Sequence, residues 1–253
     1  MFKLIKYELR STFLTIIGIC ISVIIANLFL MTKKDTWGGN TVTALSTCLI
    51  IGAMIVIFIS SLKIMSKYLY GDSGYLLFTL PQSGSAIMTS RLISALIQIS
   101  IVAFVSILML YLTSIDKIDL SFFKYFKLSV VLFFIIQYIW GIVYLLTFIY
   151  FCMVIGKVAL RGKKLGKIGS FIIFIILSIA IGWLSTKITT LLPQNLNLNK
   201  FSINTTNSIL NSDLMGSGGE LNLNIADTIF QIITFVGLFI STTYLIDKKL
   251  DLS

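Results

Sequence analysis

Histidine is absent from this 253-residue chain, which removes the Ser-His-Asp relay, the imidazole general base and the commonest transition-metal ligand together. The three cysteines, Cys20, Cys48 and Cys152, each sit in an uncharged apolar run without C-x-x-C spacing and read as small buried hydrophobes. No G-x-x-x-x-G-K-[ST] loop is present to cradle phosphates. Ser and Asp occur without a His or a clustered intramembrane acid pair, so a membrane-embedded hydrolase has little to build on. What remains is hydrogen bonding by Ser, Thr, Tyr, Asn27, Gln98, Gln137 and Gln231 inside apolar surroundings. Each such bond is worth about 0.6 to 2 kcal/mol between helices, which makes structural glue the default reading. The chain is read as an agent that moves or holds something, not as an enzyme.

The elements that must position these groups follow from composition. With 57% hydrophobic and 12% charged residues and a mean hydropathy of +0.98, a soluble core could not hide the long uncharged runs. Six runs are long enough to cross a bilayer, since about 20 helical residues span about 30 Å. They are 13–31, 41–62, 92–115, 128–156, 168–186 and 228–246. The expected fold is an all-α membrane protein, one transmembrane domain over 1–253 with six transmembrane helices. Placing both ends in the cytoplasm puts 13 Lys and Arg on inner segments and 7 on outer ones, for net charges of +9 and +1. Much of the +10 total is thus a topology signal, and no soluble scaffold offers the contiguous basic face that a nucleic-acid binder needs. The cluster Lys157, Arg161, Lys163, Lys164 and Lys167 closes one inner loop, where it would attract anionic lipid heads.

Residues 1–11 superficially resemble a signal peptide, but the span that follows is too long and no clear small-residue cleavage site follows it. Phe2, Ile5, Leu9 and Phe13 share one helical side and Lys3, Lys6 and Arg10 another, so a short interfacial helix is expected to lead into the first span. No span carries an acid or base at mid-depth, which disfavours proton relays and voltage sensors. Both prolines, Pro81 and Pro193, lie in connections, so the interrupted helices of many ion-gradient carriers are not indicated. Gly18, Ser22 and Ala26 repeat at four-residue spacing, as close helix packing requires. Phe171, Phe174, Ser178, Gly182 and Ser185 share a face of the fifth span that suits either packing or contact with an amphipathic substrate.

The inner connection 63–91 reads KIMSKYLYGDSGYLLFTLPQSGSAIMTSR. Asp72 or Ser73 can cap a short helix through Tyr75, Leu76, Leu77 and Phe78, and Pro81 with Ser83, Gly84 and Ser85 would end it and start the next. Such a segment either rests on lipid heads or serves as a knob for a partner's groove. The outer segment 187–227 is rich in Asn, Ser and Gly and suits a partly extended lid, with Leu196, Leu198 and Phe201 able to tuck it against the helices.

The arm MFKLIKYELRST, the six spans and the run YLYGDSGYLLFTLPQSGSAIMTSRLI together resemble an ABC exporter permease of the type-2 (ABC-2) class. The resemblance covers the whole chain in layout and only the arm and this connection in residue pattern. It implies a cell-membrane protein with both termini cytoplasmic, dimerising with a second permease copy or a similar permease. It also implies a separate cytoplasmic ABC ATPase that holds ATP and Mg, this chain itself holding no cofactor and no metal. By position, Asp72, Tyr75, Leu76, Phe78 and Pro81 would form the coupling helix that seats on the ATPase. The cavity between permeases would draw on Thr43, Ser46, Thr47, Phe171, Phe174 and Ser178. The family includes multidrug and antimicrobial-resistance exporters, and small six-helix members export amphipathic peptides, the substrate class favoured here. Lipids or drugs are the alternative within the class, an ion-gradient carrier or a membrane anchor outside it. A surplus of Lys over Arg, 17 against 3, fits an AT-rich Gram-positive source.

Overall fold

The computed structural model describes residues 2–70, 83–114, 128–159, 166–197, 202–205 and 222–248. Six of its helices are long and apolar enough to cross a membrane. They are α1 (Phe2–Thr32), α3 (Gly39–Tyr70), α4 (Gly84–Ser114), α5 (Leu128–Ala159), α6 (Gly166–Leu191) and α7 (Ile225–Lys248), and a four-residue α2 (Lys34–Trp37) joins the first two. A helix satisfies its backbone N–H and C=O groups internally, the one requirement that a hydrocarbon medium imposes on every spanning segment. Over the described residues the chain is a predominantly helical, all-α-class multi-pass membrane protein.

At 1.5 Å per residue, the 31 residues of α1 measure about 46 Å, well beyond a hydrocarbon core of about 30 Å. The surplus lies at the charged end: α1 begins there, α3 runs past Lys63 and Lys67 to Tyr70, and α4 starts at Gly84, two turns before Arg91. The short interfacial helix expected at the N-terminus is not a separate element. Residues 2–12 continue into the span without a break, and Thr12 Oγ1 donates back to the Glu8 carbonyl at 3.0 Å.

Two compact units divide the chain between Leu146 and Thr147. In the first, α1, α3 and α4 each pack on the other two. The side of α1 that faces inward is Ile5, Glu8, Ile16, Val23, Asn27 and Leu30, a three-and-four spacing that keeps one stripe on its neighbours. Gly18 and Ser22 instead lie exposed, and a Cβ at Gly18 would meet nothing within 4 Å, so that small-residue strip is not the packing face inside this unit. Close approach is supplied by α4, whose Ser90, Ser94, Gln98, Val102 and Ser106 recur every four residues and are buried. Cys152 is buried as expected, whereas Cys48 is exposed on α3 and Cys20 half-buried, because both sit off the inward stripes of their helices.

In the second unit Phe148, Cys152 and Leu238 form a core against which Phe151, Ile173, Phe174, Leu177 and Ile181 pack. A three-stranded antiparallel sheet, β1 (Gln194–Asn197), β2 (Ser202–Thr205) and β3 (Asn222–Asn224), has the order β2-β1-β3. Leu196 stands opposite Ile203 on one side and Leu223 on the other. The strands occupy part of the segment read from sequence as a partly extended lid; Leu198 and Phe201 lie outside the described residues.

Candidate functional site

A groove of about 400 Å³ opens at the charged end of the first unit. One wall is a stripe of α1, Leu4, Tyr7, Glu8, Ser11, Thr12 and Thr15, residues three and four apart that a helix places on one side. The facing wall comes from α3, where Ser60, Lys63, Ile64, Lys67 and Tyr68 repeat the same spacing, and Arg91 of α4 completes the lining.

The centre of this site is an ion pair between Arg91 Nη1 and Glu8 Oε1. Both residues are buried, Glu8 at 9% and Arg91 at 6% exposure. The Arg91 guanidinium carbon also lies 5.2 Å from the centre of the buried Tyr68 ring, a cation–π arrangement that joins α3 to the same pair. Ser94, one turn beyond Arg91, faces the Glu8 carboxylate. One turn further along each helix, Gln98 Nε2 donates to Thr12 Oγ1 at 2.9 Å. Taking two charges out of water costs several kcal/mol per ion, and their attraction offsets this only while both partners remain. The pair therefore acts as a register pin for three helices: losing one partner would cost about 3 to 5 kcal/mol.

The net charge of the groove comes from its rim. Glu8 is matched by Arg91, while Lys63 and Lys67, one turn apart on α3, are exposed and have no acidic partner among the described residues. Among those residues no group of three Cys, Asp or Glu comes together as a metal site would require.

A second polar cluster closes the strand-bearing end of the second unit. Asn224 caps α7 by accepting the Asp227 N–H at 2.9 Å, and its Nδ2 donates to the Leu192 carbonyl just beyond α6 at 3.2 Å. The Asp227 carboxylate accepts from Ser185 Oγ of α6 at 2.5 Å and from Gln231 Nε2 of α7 at 2.8 Å. Lys187 lies over the Trp183 ring at 5.7 Å in the same region. One carboxylate thus ties α6 to α7 beside the sheet.

Of the residues nominated from sequence for the substrate cavity, Ser46 is fully buried and donates to Asn27 Oδ1 at 2.5 Å, a bond between α1 and α3. Thr43 is half-buried and donates to the Gly39 carbonyl at 2.7 Å, and Thr47 is exposed and donates to that of Ala44 at 2.7 Å. In the second unit Phe171 is 63% exposed. Phe174 packs edge-on against Phe148 with ring centres 5.3 Å apart, and Ser178 is exposed and donates to the Ile175 carbonyl at 2.9 Å. The two triplets belong to different units. Asp72, Tyr75, Leu76, Phe78 and Pro81, nominated for docking, lie outside the described residues, as do Arg161, Lys163 and Lys164 of the basic loop.

Sequence reasoning missed Glu8 and Arg91, which it counted only as two inner charges. The signal was present: Glu8 falls between Ile5 and Leu9 on the apolar side of its arm, and Arg91 extends the polar repeat Ser94, Gln98 toward the start of α4. In comparisons with known proteins, no family model, no curated protein and no solved structure matches this chain.

Proposed function

We propose that this chain is the permease subunit of an ATP-driven exporter of the ABC-2 type, moving amphipathic peptides out of the cell. The observation that carries the reading is mechanical. Residues 71–82 join α3 to α4, and just beyond both ends of that connection the helices are pinned to each other and to α1 through Tyr68, Arg91 and Glu8. A force applied to the connection would reach three long helices together, as an external motor requires. The charge bias of the connections supports placing this pinned end in the cytoplasm and the strands outside. On this reading ATP and Mg are held by a separate ATPase subunit, a division of labour consistent with 253 residues that carry no phosphate loop. A second permease, identical or similar, completes the path, and this chain performs no covalent chemistry. Glu8, the one buried acid among the described residues, lies near the helix ends, not at mid-depth, which suits a pin better than the ion relay of a gradient-driven carrier.

The test is the connection itself. Replacing Tyr75 and Phe78 by Ala should abolish copurification of a nucleotide-hydrolysing subunit while membrane insertion persists. Unaltered copurification together with unaltered peptide export would remove the docking role.

A further inference from the structure

The groove between α1 and α3 combines three features. First, its depth is graded. The uncharged run of α1 starts near Phe13 and that of α3 ends near Leu62, so Thr15 and Ser60 sit at the edge of the hydrocarbon while Leu4, Tyr7 and Lys67 reach headgroup level. Second, its rim is cationic without compensation: Lys63 and Lys67 have no acidic partner among the described residues, because the one acid in the groove is engaged by Arg91. Third, Arg91 Nε, part of a residue that lines the groove, is buried and lacks a hydrogen-bond acceptor among the described residues, so one donor of that guanidinium is left over. Apolar surface is supplied by Leu4 and Ile64, and Tyr7, 69% exposed, flanks the entrance.

We propose that this groove holds one anionic phospholipid, its phosphate between Lys63 and Lys67 and an acyl chain running along Ile64 toward Thr15. Zwitterionic lipid brings a cation to a rim that is already cationic and binds more weakly. The two lysines contribute through charge at the membrane surface, and together they favour the anionic headgroup by about thirtyfold. The lipid fills the space between α1 and α3 beside the Glu8–Arg91 pin. The inference needs only a membrane-embedded chain and stands apart from the export reading.

Native mass spectrometry of the full-length chain in detergent, titrated with phosphatidylglycerol, phosphatidylcholine or inorganic phosphate, tests it. The expected result is saturable retention of one phosphatidylglycerol per chain, about thirtyfold tighter than phosphatidylcholine. K63Q/K67Q should lose that preference, K63R/K67R should keep it, and K248Q, a lysine beside Tyr244 on α7, should leave it unchanged. Equal retention of the two lipids, or a preference that survives K63Q/K67Q, overturns the proposal. Displacement of the lipid by equimolar inorganic phosphate would assign the site to a free anion and overturn it too. So would photocrosslinking from position 67 that captures protein in native membranes and no lipid.

Discussion

Arg91, two turns into α4, pairs with Glu8, two turns into α1, although 83 positions separate them in sequence. Tyr68 lies against the guanidinium from α3, so the pair, together with the Gln98–Thr12 and Ser46–Asn27 hydrogen bonds, holds the axial register of three helices. Glu8→Gln or Arg91→Gln alone should each destabilise the detergent-solubilised protein by about 3 kcal/mol, because each leaves one buried charge unmatched. The double substitution should recover most of that loss. A double-mutant cycle by thermal or denaturant unfolding measures this, and additive losses would show that the two side chains act independently.

Ser46 and Asn27 make a buried hydrogen bond deeper in the same unit, and Asn27 Nδ2 also donates to the Val23 carbonyl at 2.9 Å. Ser46→Ala should cost about 1 kcal/mol, the range for an interhelical bond in lipid, whereas Thr47→Ala should be neutral because that hydroxyl bonds only within its own helix. Comparing the unfolding midpoints of the two variants checks the assignment of Ser46 to packing.

At the strand-bearing end, Asp227→Ala removes the acceptor of both Ser185 and Gln231 and should destabilise the second unit by about 2 kcal/mol. Asn224→Ala removes the cap of α7 and should cost about 1 kcal/mol. Amide hydrogen exchange should show faster exchange at the start of α7 and in β1 and β3 for both variants. Unchanged protection there would mean that the cluster does not hold the sheet.

The proposed orientation places Lys67 inside the cell and Asn195 of β1 outside. In a cysteine-free background, a cysteine at position 195 should react with a membrane-impermeant maleimide in intact cells, and one at position 67 only after permeabilisation. The reverse pattern would invert the orientation.

Much of the fold was legible from the sequence because lipid imposes a coarse rule: an uncharged run of about 20 residues must be a helix. The runs 13–31, 41–62 and 92–115 and the helical character of residues 1–11 are therefore legible, but not that 1–11 is continuous with the first span or that the later helices extend through the turns holding Lys63, Lys67 and Arg91. Charges in those turns read equally well as loop residues, and no local spacing relates position 8 to position 91. For the same reason the four-residue spacing of Gly18, Ser22 and Ala26 points to packing while Gly18 and Ser22 lie exposed: helices that are apolar all round do not reveal which side meets a neighbour. The sheet was visible only as a turn-rich segment, since strands of three and four residues carry too few positions for a period-two pattern.

Transport in inside-out vesicles tests most directly whether this chain is, as proposed, a passive path driven by an external ATPase. Vesicles from cells expressing the chain with its native partners are given a fluorescent amphipathic helical peptide. Uptake should require hydrolysable ATP, survive a protonophore, and fall to background with Tyr75→Ala/Phe78→Ala. Uptake that proceeds without ATP and collapses with the proton or sodium gradient would contradict the account.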